Sequence, residues 1–252
     1  MSDLREDGFL DGRLKILQPV HGYRSGADAV MLAAACPARA GESVLELGCG
    51  AGVASLCLGW RAPSLNLTGL ERQEQYADLA RRNGRANGID LHVETGDLAE
   101  MPQALRRKSY DHVIANPPYF LAGTEPADSG RFLSRQETTP LSAWMDTALR
   151  RLRPKGVLTV IQRADRLDSL LVALHGRVGA ITILPIIARE GRDAGRVLVT
   201  ARKESLTPLR LLSPFKMHEG SRHTRDGDDL SKEASAVLRH GKAIIWDHAK
   251  VS

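Results

Sequence analysis

Val44-Leu45-Glu46-Leu47-Gly48-Cys49-Gly50-Ala51-Gly52 leads from a short apolar run into the helix-compatible stretch Val53–Trp60. Ser43 to Leu47 suits a short buried strand. Glycines at 48, 50 and 52, with Cys49 between the first two, let the backbone turn sharply and approach a ligand closely. Two common occupants are excluded by the spacing. A dinucleotide fingerprint, Gly-x-Gly-x-x-Gly/Ala, would need Gly or Ala where Val53 stands, and the lysine of a phosphate-binding P-loop is missing. Glu46, two residues before the first glycine, suits a cationic ligand better than a pyrophosphate. Further acids close the next two strands. Glu71 is placed to accept from ribose hydroxyls. In Thr95-Gly96-Asp97-Leu98, Asp97 is placed to accept from an adenine amino group, with Leu98 against the ring. Three acids at three successive strand ends, with the glycine loop, describe an adenosine that carries a positively charged tail.

A fourth strand breaks off abruptly in Tyr110-Asp111-His112-Val113-Ile114-Ala115-Asn116-Pro117-Pro118-Tyr119-Phe120. Neither proline can donate to a ladder, and each biases its predecessor toward extended backbone. The outcome is a rigid corner at a strand end, where open α/β sheets place their ligands. An exocyclic amine is a weak nucleophile because its lone pair is conjugated into the ring. The Asn116 side-chain oxygen and the Pro117 carbonyl are natural acceptors for its two N–H groups, and Tyr119 can stack on the ring. The catalytic set is therefore Asn116, Pro117, Pro118 and Tyr119, with Asn116 also bordering the cofactor. The plain alternative is an ordinary turn that ends a strand.

Around these motifs, strand and helix signals alternate. Leu65–Leu70, Ile89–Thr95, His112–Ala115 and Val157–Gln162 read as strands, and Glu74–Asn87, Leu141–Leu152 and Leu167–His175 as helices. That alternation predicts βαβ units and a parallel sheet. Ala180–Ile187 and Arg196–Ala201 leave no room for a helix between them, which predicts a closing antiparallel pair. Ser25 with Asp28 resembles a capping box ahead of the Ala-rich helix that stops by Pro37. Ser231–His240 reads as a short helix capped by Ser231 and Gly241. The expected organisation is an N-terminal arm over 1–24, punctuated by Gly8, Gly12, Pro19 and Gly22, one α/β domain over 25–203, and a C-terminal extension over 204–252 packed on that domain.

On the glycine loop, the acids and the Asn-Pro-Pro-Tyr corner, residues 25–200 resemble class I S-adenosylmethionine-dependent methyltransferases. The resemblance implies a Rossmann-like α/β fold with helices on both faces of a seven-stranded, mostly parallel sheet whose last strand is antiparallel. It implies S-adenosyl-L-methionine as cofactor, with the loop of Gly48, Cys49, Gly50 and Gly52 under its methionine part, Glu71 at the ribose and Asp97 by the adenine. Asn-Pro-Pro-Tyr/Phe in such enzymes marks transfer to a planar nitrogen: adenine N6, guanine N2 or glutamine N5. Gln18-Pro19 and Gly22-Tyr23-Arg24-Ser25-Gly26-Ala27-Asp28 resemble the corresponding segment of the bacterial tRNA1(Val) (adenine-N6) methyltransferase family, which implies Arg24 and Asp28 over the methionine end. The expected activity is methyl transfer to adenine N6 in RNA, tRNA first. The alternatives are protein glutamine-N5 methylation, rRNA guanine-N2 methylation, and a non-catalytic RNA-binding protein on the same fold. The stretch Gly191–Arg196 and the tail Met217–His223 depart from the enterobacterial pattern.

Composition agrees with an anionic partner. The net charge is +5, but residues 1–130 hold 13 Lys+Arg against 17 Asp+Glu while residues 131–252 hold 22 against 13. A basic second half points to nucleic acid, and Arg189, Arg192, Arg196, Arg202 and Lys203 are the candidates to line an RNA backbone. Three cysteines without metal-like spacing fit a reduced cytoplasm. His218 and His223 have no Cys or acid at ligand spacing, so no metal is expected. There is no membrane-spanning run. Trp60, Trp144 and Trp246 are expected to pack rather than to stack on bases. The expected assembly is a monomer or weak dimer.

Overall fold

A computed structural model describes residues 3–118, 139–220 and 229–246. The chain opens with a hairpin, β1 (Leu4–Phe9) and β2 (Leu14–Pro19), followed by α1 (Ala27–Ala35). The βαβ series runs β3 (Ser43–Leu47), α2 (Val53–Arg61), β4 (Asn66–Glu71), α3 (Glu74–Ala86), β5 (Leu91–Thr95), the single turn α4 (Gln103–Arg106) and β6 (Tyr110–Ala115). From residue 141 onward come α5 (Leu141–Arg151), β7 (Leu152–Arg163), α6 (Leu167–Leu174), β8 (Val178–Ile187) and β9 (Ala194–Lys203). Two short strands, β10 (Arg210–Leu211) and β11 (Phe215–Lys216), and α7 (Lys232–Leu238) follow.

The sheet order is β10-β8-β9-β7-β6-β3-β4-β5, with β11 also on β8. β5, β4, β3, β6 and β7 are mutually parallel, and β9 alone runs against its neighbours β7 and β8. The seven strands β3 to β9 thus match the mostly parallel sheet that the resemblance implied, with the last strand of the chain, β9, reversed. β10 and β11 extend it to nine strands, two more than the resemblance implied. β6 is buried along its whole length, as a central parallel strand covered on both faces must be. The core divides accordingly. One cluster gathers the hairpin, α1, α2, α3 and α7, and the other gathers α5, α6 and the opposite sheet face. No helix among the described residues is long and apolar enough to cross a membrane.

Two local expectations are corrected. The first 22 residues contain a hairpin rather than an irregular arm: Leu10, Leu14 and Ile16 are buried in the first cluster. Each such aliphatic side chain stabilises by about 1.5–3 kcal/mol when fully buried. Of the glycines read as breakers, Gly12 lies in its turn, where Leu10, Asp11 and Gly12 all have positive φ, whereas Gly8 lies within β1 and Gly22 follows β2. Ser25 caps nothing. The residue before α1 is Gly26, without a side-chain cap, and the Ser25 amide donates to Gln18 Oε1 at 2.8 Å. Ser231 does cap α7, its hydroxyl accepting from the Ala234 amide at 3.0 Å. Beyond it, the Ile244 amide and the Trp246 indole donate to the Ala34 and Ala35 carbonyls, both at 2.8 Å, at the end of α1.

Candidate active site

Strand order reverses at β3: β4 and β5 lie to one side, β6 and β7 to the other. Loops leaving β3 and β6 therefore meet at one edge, the switch point at which such sheets hold ligands. The register brings the two motifs together. Leu47 aligns with Ala115, and Ala115 with Val160 of β7. The next residues, Gly48 and Asn116, are neighbours at the edge.

The glycine loop is pinned on one side by β4. The Gly48 and Cys49 amides both donate to the Leu70 carbonyl, at 2.8 and 3.0 Å. Gly48, Gly50 and Gly52 have φ of 66, 54 and 87, a region that costs side-chain-bearing residues. Gly48 has a second reason to lack a side chain: a Cβ there would stand 2.6 Å from the Trp144 ring of α5. Glu71 holds the loop from below. One carboxylate oxygen accepts from the Gly50 amide at 3.0 Å and the other from the Gln73 amide at 2.9 Å. Burial raises its pKa.

Glu46, expected beside the cofactor, also serves the fold itself. Its carboxylate accepts from the Ser55 amide and hydroxyl, at 2.9 and 2.5 Å, inside the first turn of α2. The residue preceding that helix is Gly52, which has no side chain to cap with. Glu46 supplies the missing cap from the adjacent strand. Burial pushes its carboxyl up to about 7, and Glu71 adds to the shift.

Asp97 lies after β5, half-exposed, with one oxygen accepting from the Ala99 amide at 2.8 Å and Arg72 at 3.8 Å from the other. Leu98 beside it is buried, and its carbonyl accepts from Thr147 of α5 at 3.3 Å. At the corner, Asn116 is half-buried, Pro117 buried and Pro118 half-buried. Tyr119 lies outside the described residues. Arg24 and Asp28 are engaged: Arg24 lies 2.7 Å from both oxygens of Asp7 in the hairpin, and Asp28 pairs with Arg196 at 3.0 Å.

The five basic candidates do not form one surface. Arg196 opposes Arg163 at the site edge of β7, and Arg192 is exposed in the β8–β9 turn at the same edge. Arg189 is buried and bonded to the Glu219 and Gly220 carbonyls and to Asp229, so it staples the C-terminal segment instead of facing solvent. Arg202 opposes Val157, and Lys203 opposes Val178, at the far edge of the sheet. Asp229 also accepts from His218 Nδ1 at 2.8 Å, an acid too distant in sequence to be linked to that histidine. His223 lies outside the described residues.

Sequence reasoning missed the supports. Asn83 of α3 and Asn87, the residue just past its end, lie one turn apart and clasp β2. Each amide accepts from and donates to the backbone of one strand residue, Leu17 for Asn83 and Lys15 for Asn87, at 2.9–3.0 Å. The match is metric: four helical residues rise about 6 Å and two strand residues about 6.6 Å. Asn83 Nδ2 also donates to the Ala51 carbonyl at 2.9 Å, joining hairpin, α3 and glycine loop. The (i, i+4) spacing of the two asparagines was visible, but nothing in it distinguished them from a solvated face.

Residues 26–183 match the family model of the methyltransferase small domain. The chain is 29% identical over 205 residues to the tRNA1(Val) (adenine(37)-N6)-methyltransferase of Actinobacillus succinogenes, covering 79% of this chain and 84% of the relative. It is 30% identical over 186 residues to the protein of the same name from Shewanella baltica, covering 70% and 76%. Among solved structures, one described as a predicted O-methyltransferase of Agrobacterium tumefaciens superposes with a TM-score of 0.71 at 27% identity, over 86% of this chain and 98% of that one. The Thermus thermophilus 16S rRNA N2 G1207 methyltransferase, solved with AdoMet and guanosine, superposes at 0.54 and 19% identity over 80% of this chain and 50% of that one, a likeness of fold.

Proposed function

The chain belongs to the methyltransferase small domain family and is an S-adenosylmethionine-dependent methyltransferase, and from that premise we propose that it methylates the exocyclic N6 amine of an adenine in RNA, with tRNA as the substrate. The observation that carries the reading is the Asn116-Pro117-Pro118 corner at the strand end beside the glycine loop. The names of the relatives from A. succinogenes and S. baltica, tRNA1(Val) (adenine(37)-N6)-methyltransferases, support the choice of adenine N6 and tRNA.

The residues present suit the cofactor. Glycines at 48, 50 and 52 leave the loop backbone open to close approach, and the buried Glu71 carboxylate, with its several lone pairs, retains acceptor capacity for a hydroxyl group beyond the Gly50 and Gln73 amides. We assign Gly48, Cys49, Gly50 and Gly52 to the methionine part, Glu71 to the ribose, and Asp97 with Leu98 to the adenine. When bound, S-adenosylmethionine supplies a methyl group already activated as a sulfonium. The chain's own contribution is positioning. Asn116 and the Pro117 carbonyl accept from the two N–H groups of the substrate amine, which loosens the lone pair from the ring and aims it. Tyr119, next in sequence, provides an aromatic face for the base. Proximity and orientation of this kind supply much of such a reaction's acceleration. The target base must leave its stack to enter, which suits an adenine in a tRNA loop. Arg192, exposed at the site edge, is assigned to the RNA backbone.

The test is tritiated methyl transfer from S-adenosylmethionine to total tRNA, total rRNA and a peptide-chain release factor in parallel. Label in tRNA supports the reading; label only in protein or only in rRNA replaces it with glutamine-N5 or guanine-N2 methylation.

A further inference from the structure

The sheet edge opposite the glycine loop collects cations that few carboxylates offset. Strand direction puts them there. β6 and β7 begin at this edge, at Tyr110 and Leu152, and antiparallel β9 ends there, with Lys203 opposite Val178. Arg106-Arg107-Lys108, all exposed, form the turn that enters β6. Between Leu152 and Val157 the chain of β7 bulges, so that Arg153–Gly156 face Asp111 alone. Lys155 in this bulge has φ 62, and Glu204 beside it has φ 55. Such left-handed backbone costs about 1–3 kcal/mol per non-glycine residue and is kept where the surroundings enforce it.

Hydrogen bonds knit these groups into one patch. Arg151 Nη1 donates to the Leu105 carbonyl at 3.0 Å and also to that of Arg106. Arg202 Nη1 donates to the Lys155 carbonyl at 2.8 Å, Lys203 Nζ to the Leu152 carbonyl at 2.7 Å, and Lys155 Nζ to the Glu204 carbonyl. Carbonyl acceptors fix a cation in place without neutralising it. Burial lowers the pKa of Arg151, and Arg150 and Arg106 press the same way, as expected where like charges crowd. Arg153, by contrast, is paired with Asp111.

We propose that this edge is a docking surface for the phosphate backbone of the RNA substrate, separate from the pocket in which the base reacts. The proposal rests on the RNA reading given above and deepens it. Strands of five or six residues put the two edges about 17–20 Å apart, so the contact belongs to an RNA much larger than one nucleotide. Arginine dominates the patch, and its planar fork matches phosphate oxygens. Leu206 stands fully exposed beside it. One leucine is less than an amphipathic anchor for an anionic bilayer needs, so RNA is favoured over lipid.

The test is the full-length Arg107→Glu/Lys108→Glu variant, since both side chains are exposed and neither holds a hydrogen bond or ion pair among the described residues. Its Kd for total tRNA should rise about tenfold at moderate salt, and the slope of log K against log salt should shrink by about 2. Stabilisation by S-adenosylmethionine in thermal shift, and kcat at saturating tRNA, should stay at wild-type values. Arg107→Lys/Lys108→Arg should restore affinity. Identical Kd and salt slope in wild type and the charge-reversed variant, with wild type methylating tRNA, would overturn the edge while leaving the methylation reading intact. Edge-dependent tRNA binding by a wild type that methylates no RNA would uphold the edge and remove that reading. Loss of binding to phosphatidylserine vesicles with tRNA binding unaltered would also overturn it, in favour of a lipid surface.

Discussion

At Asn116 two demands meet on one side chain. It ends a strand whose every residue is buried, and it stands beside Gly48 at the switch point of the sheet. Its amide identity therefore matters more than its volume. Asn116→Ala should keep S-adenosylmethionine binding, read by thermal shift, while kcat falls about 10²–10³-fold, the typical effect of deleting one preorganised polar contact to the reacting group. An unchanged kcat would take the corner out of the chemistry. Glu46 makes a second residue-scale claim. Its carboxyl is pushed up to about 7 from 4.5 by burial, so its proton stabilises the fold fully below about pH 4.5, and that contribution is lost as pH rises through 7. Glu46→Gln removes this dependence. The stability difference between variant and wild type, from denaturant melts between pH 4.5 and 8, should shift in favour of the variant by up to about 3 kcal/mol. A difference that is flat with pH would contradict a protonated, buried Glu46.

Among the elements, the glycine loop is held by parts far apart in sequence: Leu70 and Glu71 of β4, Trp144 of α5, and Asn83 of α3. Asn83 is fully buried and satisfies both the hairpin and the loop. Asn83→Ala should cost about 2–4 kcal/mol by leaving buried backbone groups unpaired, and should weaken S-adenosylmethionine binding by freeing Ala51. Urea melts and calorimetry check the two effects; a variant with wild-type cofactor affinity would show that the clasp serves the hairpin alone. This is also the scale at which sequence and structure part company. Alternation of strand and helix was legible because each buried strand and amphipathic helix carries its own period. The closing β8–β9 pair was legible because the connection is too short for a crossover. The hairpin was not, although Leu14, Ile16 and Gln18 alternate inward, because glycine and proline around it read equally as loop. Ser25 looked like a cap because local spacing cannot reveal that Gln18 takes its amide.

For the whole molecule, charge was legible in amount but not in place. The basic excess lies in residues 131–252, yet the antiparallel run of β9 separates Arg196 at the site edge from Arg202 and Lys203 at the other. Arg189 is taken into the C-terminal staple by Asp229. No linear pattern encodes those outcomes, since they depend on which strand opposes which. The strand ends that carry the glycine loop, Glu71 and Asp97 were legible, because these residues fall at them in sequence order. The substrate side depends on surfaces assembled from both halves of the chain. The most direct test of the central claim is to incubate the purified protein with S-adenosylmethionine and unmodified tRNA, digest the RNA to nucleosides, and identify the methylated product by mass spectrometry. N6-methyladenosine, absent with Asn116→Ala, is the predicted result; N2-methylguanosine, or no methylated nucleoside while release factor gains a methyl group, would contradict it.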